Sequence, residues 1–172
     1  MGDLPLLVIA AGQTKGRGRT GSHWLDADRA LAVSLAVPDA IAGMRPLSLM
    51  AGVAVTRVLE GVGLKWPNDV MIGDAKVGGI LVERSAAVTV IGLGLNLWWE
   101  SIPEGMGAVY QDDPGESAHA EIGALWGAET MELIDDDGWP VDEYRRVSVT
   151  IGREVIWEPE GRGRAVDIAE DG

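Results

Sequence analysis

The sequence predicts an α/β fold of the α+β kind, in which a largely antiparallel sheet is flanked by helices. Three observations predict it. Leu64 to Ile72, Ala75 to Glu83 and Val88 to Leu97 are apolar runs of strand length, joined by Gly73-Asp74 and by Arg84 to Ala87, which are connections of hairpin length. Leu47, Met50, Ala51, Ala54, Val55, Val58, Leu59 and Val62 recur at spacings of three and four, so one stripe of a helix packs on that sheet. The 172 residues, 47% hydrophobic and 24% charged, suit one main domain that buries roughly 70% of the surface its unfolded chain exposes.

Along the chain, Leu4 to Ala11 is an apolar run ended by Gly12 and reads as a buried strand, with a loop from Gly12 to Trp24. Ala30 to Val37 is a second strand, stopped by Pro38. Pro46 suits the first turn of the amphipathic helix, and Gly61 and Gly63 end it. The three-strand meander follows, then an acidic loop from Glu100 to Gly115. Ser117 is placed to cap a helix running to Ile134, with Ile122, Leu125, Trp126, Glu129 and Leu133 at helical spacing. Asp135-Asp136-Asp137-Gly138 stops it as a solvated turn. Val147 to Ile151, Glu154 to Trp157 and Arg164 to Ile168 read as short strands of a small β unit, too few to bury a face alone. That unit must lean on the main domain or form an incomplete barrel.

Composition removes several function classes. With no cysteine, a disulfide scaffold, a thiolate zinc site and a cysteine nucleophile are excluded. Net charge is −13, unevenly placed: nine Lys/Arg face eight Asp/Glu up to Arg84, and five face nineteen from Ser85 onward. So negative a field disfavours DNA and RNA and leaves room for a small anion held locally in the first half. The longest uncharged stretch, Ser85 to Trp99, contains Gly92, Gly94 and Asn96 and is shorter than a membrane span. No basic leader precedes the first strand, so the cytoplasm is expected. His23 and His119 lack carboxylates at metal-ligand spacing.

Four segments carry chemistry. Gly16-Arg17-Gly18-Arg19-Thr20-Gly21 fits G-x-G-x-x-G after a strand, but no helix opens behind it and Ser22 stands where a P-loop has lysine. Glycines interleaved with two arginines make either an anion clamp or a solvated basic turn. Lys65-Trp66-Pro67-Asn68-Asp69 has the composition of a tight turn, and its lysine, amide and carboxylate could equally meet a nucleotide phosphate or Mg²⁺. Lys76 precedes Gly78-Gly79, paired glycines that leave an open patch on a strand for a flat ligand or another backbone; a lone lysine beside a turn is more often simply solvated. Gly92-Leu93-Gly94-Leu95-Asn96 alternates so that Gly92, Gly94 and Asn96 share one face.

In this order the four segments resemble the catalytic domain of the biotin protein ligases. The resemblance rests on Gly12-Gln13 with Gly16 to Gly21 and Trp24, on Lys65 to Asp69, on Lys76 with Gly78 to Glu83, and on Gly92 to Asn96. It implies a mixed sheet flanked by helices, related to class II aminoacyl-tRNA synthetases, over residues 1–143. A weaker likeness implies a partial SH3-like domain over residues 147–172. It also implies a two-step reaction: biotin is adenylated with ATP and Mg²⁺, and the biotinyl group then passes to a lysine of biotin carboxyl carrier protein, a subunit of acetyl-CoA carboxylase. Neither DNA nor membrane is an implied partner, and a homodimer is allowed.

By resemblance Lys76 and Arg19 are catalytic, Lys76 bridging the biotin carboxylate and the α-phosphate. Gln13, Gly16, Arg17, Gly18, Arg19, Trp24, Lys76, Gly78, Gly79, Gly92 and Gly94 contact biotin and the adenylate. Lys65, Asn68, Asp69 and Asn96 face ATP, with Asp69 near Mg²⁺. The sequence departs from the family at Ser22, where arginine is common, in lacking an upstream Ser/Thr-Asn element, and in a C-terminal unit that stops about halfway. Those departures leave two alternatives to an active ligase: a non-catalytic remnant that binds biotinyl-AMP or carrier protein, and a lipoate-type ligase.

Overall fold

The computed structural model describes residues 3–19, 24–43, 45–136 and 138–172. Its elements in chain order are β1 Leu6–Ala10, β2 Arg29–Pro38, α1 Asp39–Ala42, α2 Leu47–Val58, β3 Gly63–Lys65, β4 Asp69–Ile72, β5 Ala75–Arg84, β6 Val88–Trp98, α3 Ala118–Asp135, α4 Val141–Val147, β7 Glu154–Trp157 and β8 Gly161–Arg164. Six strands form one sheet in the order β1-β2-β6-β5-β4-β3, and every neighbouring pair is antiparallel. The parallel component of the expected mixed sheet reduces to isolated bridges, Leu64 with Ser148 and Lys76 with Met106.

Alternation in the central strands decides which face is covered. Leu31, Val33, Leu35 and Val37 of β2 and Ile91, Leu93, Leu95 and Leu97 of β6 are buried in one core with α2 and α3. Each such side chain contributes roughly 1.5–3 kcal/mol by leaving water. The intervening residues, Ala32 and Ser34 of β2 and Gly92 and Gly94 of β6, face the other way. Helix α3 lies close on β1 because a Cβ at Gly127 would meet Leu7 Cδ2 at 2.7 Å. Trp126, fully buried, donates its indole N–H to the Ala51 carbonyl at 3.0 Å and ties α3 to α2.

Several boundaries differ from expectation. The run from Leu64 to Ile72 is a hairpin, β3 and β4, because Pro67 interrupts the ladder and Trp66 to Asn68 make the turn. Helix α2 stops at Val58; Leu59 is already extended, and both Leu59 and Val62 reach the core from the turn that follows. Ser117 occupies the N-cap of α3 but makes no cap bond, its hydroxyl going to Glu121 instead.

In the tail, Val147 to Ile151 is not a strand: Val147 closes α4 and Val149 donates its N–H to the Leu64 carbonyl at 2.8 Å. Glu154–Trp157 forms β7 as expected, but Arg164 to Ile168 is not a strand: β8 ends at Arg164, and its Gly161 and Gly163 leave space for the Trp157 ring. Beyond it the chain runs back along α4, with Arg145 bonded to Asp167 and the Trp139 indole N–H to the Glu170 carbonyl. The segment leading into the β7–β8 hairpin is tied to the sheet through Trp66 N–H to the Thr150 hydroxyl and through Arg153 with Asp74.

Candidate active site

The sheet face turned away from α2 and α3 carries a cavity of about 530 Å³. Its floor is made of small residues in rows across three strands. Gly79 of β5 lies opposite Gly94 of β6, itself opposite Ala32 of β2; the next row holds Leu81, Gly92 and Ser34. The basic loop forms one wall with Gln13, Lys15, Arg17, Gly18 and Arg19, and Asn68, Asp69 and Lys76 form the other. Four cationic residues line it, Lys15, Arg17, Arg19 and Lys76, against the carboxylates of Asp69 and Glu83. In a chain of net charge −13 this is a local excess of positive charge, and it favours an anionic ligand.

Hydrogen bonds place each group. The Asn68 amide donates to the Ile80 carbonyl at 2.9 Å while the Ile80 N–H donates back to the Asn68 carbonyl at 2.9 Å, so the turn after Pro67 is clamped to β5. That leaves the Asn68 amide oxygen facing Arg19, whose guanidinium approaches it at 3.4 Å. A register shift between Val70 and Met71 brings Lys76 beside Asp69, and the Lys76 ammonium is paired with the Asp69 carboxylate. The ammonium also lies 5.9 Å from the centre of the Trp24 ring. Arg17 reaches across the floor toward Glu83, 3.7 Å away. Asn96 is 2% exposed, and its side-chain oxygen has no partner among the described residues.

Trp24 occupies the glycine patch. Its N–H donates to the Gly16 carbonyl at 3.0 Å, and its indole lies on Gly94 and Gly79, where a Cβ would come within 3.2 and 3.5 Å of the ring. The patch expected to receive a ligand is therefore covered at Gly79 and Gly94, and the open floor begins at Gly92 and Ser34. Gly78 lies on the core side, where a Cβ would overlap Leu95. Lys65 is exposed and borders a small crevice with Asn68 and Asp69 rather than the cavity.

Gln13, Arg17, Gly18, Arg19, Trp24, Asn68, Asp69, Lys76, Gly79, Gly92, Gly94 and Asn96 are thus brought together, while Gly16 supports Trp24 from outside. Thr20, Gly21, Ser22 and His23 lie outside the described residues. Sequence reasoning missed Lys15, Leu25, Ala32, Val33, Ser34, Val90 and Met106. For Ala32 and Ser34 a signal existed: β2 alternates large and small residues, so the small ones make a floor.

Among the described residues no group of three or more His, Asp or Glu side chains is arranged to hold a metal ion. No described helix is long and apolar enough to cross a membrane.

Residues 3–96 match the biotin/lipoate A/B protein ligase family. The chain belongs to that family. A member from Mycobacterium tuberculosis, a biotin–[acetyl-CoA-carboxylase] ligase, is 31% identical over 96% of this chain and 69% of its own length. The bifunctional ligase/repressor BirA of Escherichia coli is 36% identical over 56% of this chain, which spans 34% of that protein. A biotin protein ligase from Aquifex aeolicus, solved in complex with biotin and ATP, superimposes with a TM-score of 0.81 at 26% identity, covering 95% of this chain and 78% of that one. The shared architecture is the antiparallel sheet flanked by helices.

Proposed function

We propose that this chain is an ATP-dependent biotin–protein ligase that adenylates biotin and transfers it to a lysine of biotin carboxyl carrier protein in the cytoplasm. One observation carries the reading: Arg19, Asn68 and Lys76, from three separated segments, converge on one slot in an otherwise acidic chain. A carboxylate and a triphosphate repel each other, so joining them needs fixed cations where charge builds up more than it needs a base.

In the first step a biotin carboxylate oxygen attacks the α-phosphorus of ATP, the bond to the bridging oxygen breaks, and pyrophosphate leaves. Lys76 bridges the carboxylate and the α-phosphate, exchanging its Asp69 partner for the two reactants. Arg19 takes the non-bridging phosphoryl oxygens, and the loop of Gln13, Arg17 and Gly18 covers the intermediate from water. Asn68 and Asn96 face the nucleotide. In the second step the carrier lysine amine attacks the acyl carbon, AMP leaves, and the amine proton goes to solvent. Residues 1–143 form the catalytic unit in this reading, and 147–172 a partial SH3-like unit.

Mg²⁺ suits the site only as a phosphate-bound ion. Asp69 offers one carboxylate and Asn68 one amide oxygen, the sparse protein donor set of an ion that keeps waters and phosphates. When bound it offsets triphosphate charge.

The experiment is incubation with biotin, ATP, Mg²⁺ and a carrier domain. Pyrophosphate release and biotinylated carrier are the expected results. Absence of both at any enzyme concentration would overturn the reading.

A further inference from the structure

We propose that Ser48, outside the slot, is a positioning residue for its nucleotide side, the serine hydroxyl holding the Trp66 to Asn68 turn so that the Asn68 amide stands where the nucleotide needs it; this deepens the ligase reading and rests on it. Ser48 lies in the first turn of α2, in the helical layer behind the sheet, and donates its hydroxyl to the Pro67 carbonyl at 3.0 Å. Proline has no N–H, which leaves that carbonyl as the one backbone group of Pro67 that a neighbour can hold. One helical turn further on, Gly52 faces the same hairpin: a Cβ there would meet Leu64 of β3 at 3.0 Å. Helix α2 therefore rests directly on the hairpin and brings the hydroxyl within reach of the turn.

The turn is a partition. A crevice of only about 10 Å³ separates it from α2, bordered by Ser48, Gly52, Pro67 and Asn68, and Asn68 also lines the slot on the opposite side. Behind the turn there is room for about one water, so the direction in which it can yield is toward the slot. Two holds oppose that movement: β5 grips Asn68 through its carbonyl and amide, each 2.9 Å from its Ile80 partner, and Ser48 grips the preceding residue from the helix. With both in place the Asn68 oxygen meets the Arg19 guanidinium at 3.4 Å. Without the serine hydroxyl the turn pivots about its attachment to β5, and the amide moves relative to the cation opposite it. A reacting geometry is sensitive to such shifts, so the loss appears in turnover of the nucleotide before it appears in folding. In the ligase reading biotin is held by the basic loop and by β5 and β6, which do not depend on the turn.

The test compares wild type, Ser48→Ala, Asn68→Ala and the double variant by pyrophosphate-release kinetics at saturating biotin, by calorimetry with biotin, and by thermal unfolding. In Ser48→Ala the expected result is a roughly five- to tenfold fall in kcat/KM for ATP, with the Kd for biotin within about twofold of wild type. The unfolding midpoint should fall by no more than about 4 °C. In the Asn68→Ala background the same serine change should cost less than about twofold, because the amide it positions is gone. An unchanged kcat/KM for ATP, an equal weakening of biotin, the full loss repeated in the Asn68→Ala background, or a Ser48→Ala chain unfolded at 25 °C would each overturn the assignment. A wild-type protein that neither binds biotin nor releases pyrophosphate would instead overturn the ligase reading itself, in an arm that does not involve the variants.

Discussion

Replacing Lys76 by alanine separates electrostatic assistance from folding. The Lys76 side chain is 41% exposed and its partner Asp69 is 23% exposed, so the lysine holds no core together and its loss should shift stability by no more than about 0.5 kcal/mol. At the slot the effect is larger. A unit charge about 4 Å from a reacting anion is worth about 4 kcal/mol at an effective dielectric of ~20, and solvent access at this half-exposed position reduces that to about 2–3 kcal/mol. The corresponding fall in kcat/KM for biotin-dependent pyrophosphate release is roughly 30- to 150-fold. Part of the loss comes from the Asp69 carboxylate, left unpaired beside the incoming anions, so Lys76→Ala combined with Asp69→Asn should be less impaired than Lys76→Ala with Asp69 intact. Pyrophosphate release within threefold of wild type, with an unchanged unfolding midpoint, would refute the role assigned to the lysine.

Other substitutions probe the floor, the nucleotide side and the helical layer. Gly94→Ala puts a methyl 3.2 Å from the Trp24 ring, so the indole must shift by a few tenths of an ångström; a severalfold rise in KM for biotin and an altered tryptophan emission spectrum are expected. Asn96→Ala removes a buried oxygen that has no partner among the described residues; stability should fall by no more than about 1 kcal/mol while the Kd for ATP rises about fivefold, measured by calorimetry. Glu143 of α4 accepts bonds from Arg57 of α2 at 2.8 and 3.0 Å, and that guanidinium holds its carboxyl below the usual value against the opposing effect of burial. A lowered folded-state pKa means the pair stabilises fully above the unfolded value of about 4.3 and loses its contribution as pH falls through the folded one. Chemical denaturation of Glu143→Gln should show a deficit of about 1 kcal/mol at pH 7 that vanishes toward pH 3; a deficit independent of pH would argue against the pairing.

The sheet was legible because its strands alternate or run apolar between clear breakers, as in Ala30 to Val37 and Val88 to Leu97. The hairpin at Trp66 to Asn68 was legible only in part: the turn residues stood out, but an apolar run on both sides hid the division. Helix α4 was missed because Val141 to Val147 is two turns long and is held by the burial of one residue, Tyr144, beside α2 and β3, which no local pattern announces. Of the tail strands Glu154 to Trp157 was legible, whereas its partner was misplaced at Arg164 to Ile168, because the position of that partner is set by Trp157 lying over Gly161 and Gly163.

At the site, charged and amide residues were legible by type, and the antiparallel register then brought them together. Trp24 as the cover of Gly79 and Gly94 was not legible, because the contact joins residues 55 and 70 positions apart and a glycine pair says that something approaches without saying what. Ser34 was passed over because a serine in an apolar strand has no motif; only the identity of its cross-strand neighbours gives it meaning.

The most direct test is a crystal structure with a non-hydrolysable biotinyl-adenylate analogue. Convergence of the three segments predicts one molecule in the slot, with the Lys76 ammonium, the Arg19 guanidinium and the Asn68 amide all within hydrogen-bond reach of the analogue, the first two at its linking group. An analogue seated elsewhere, or one in the slot that touches neither cation, would contradict it.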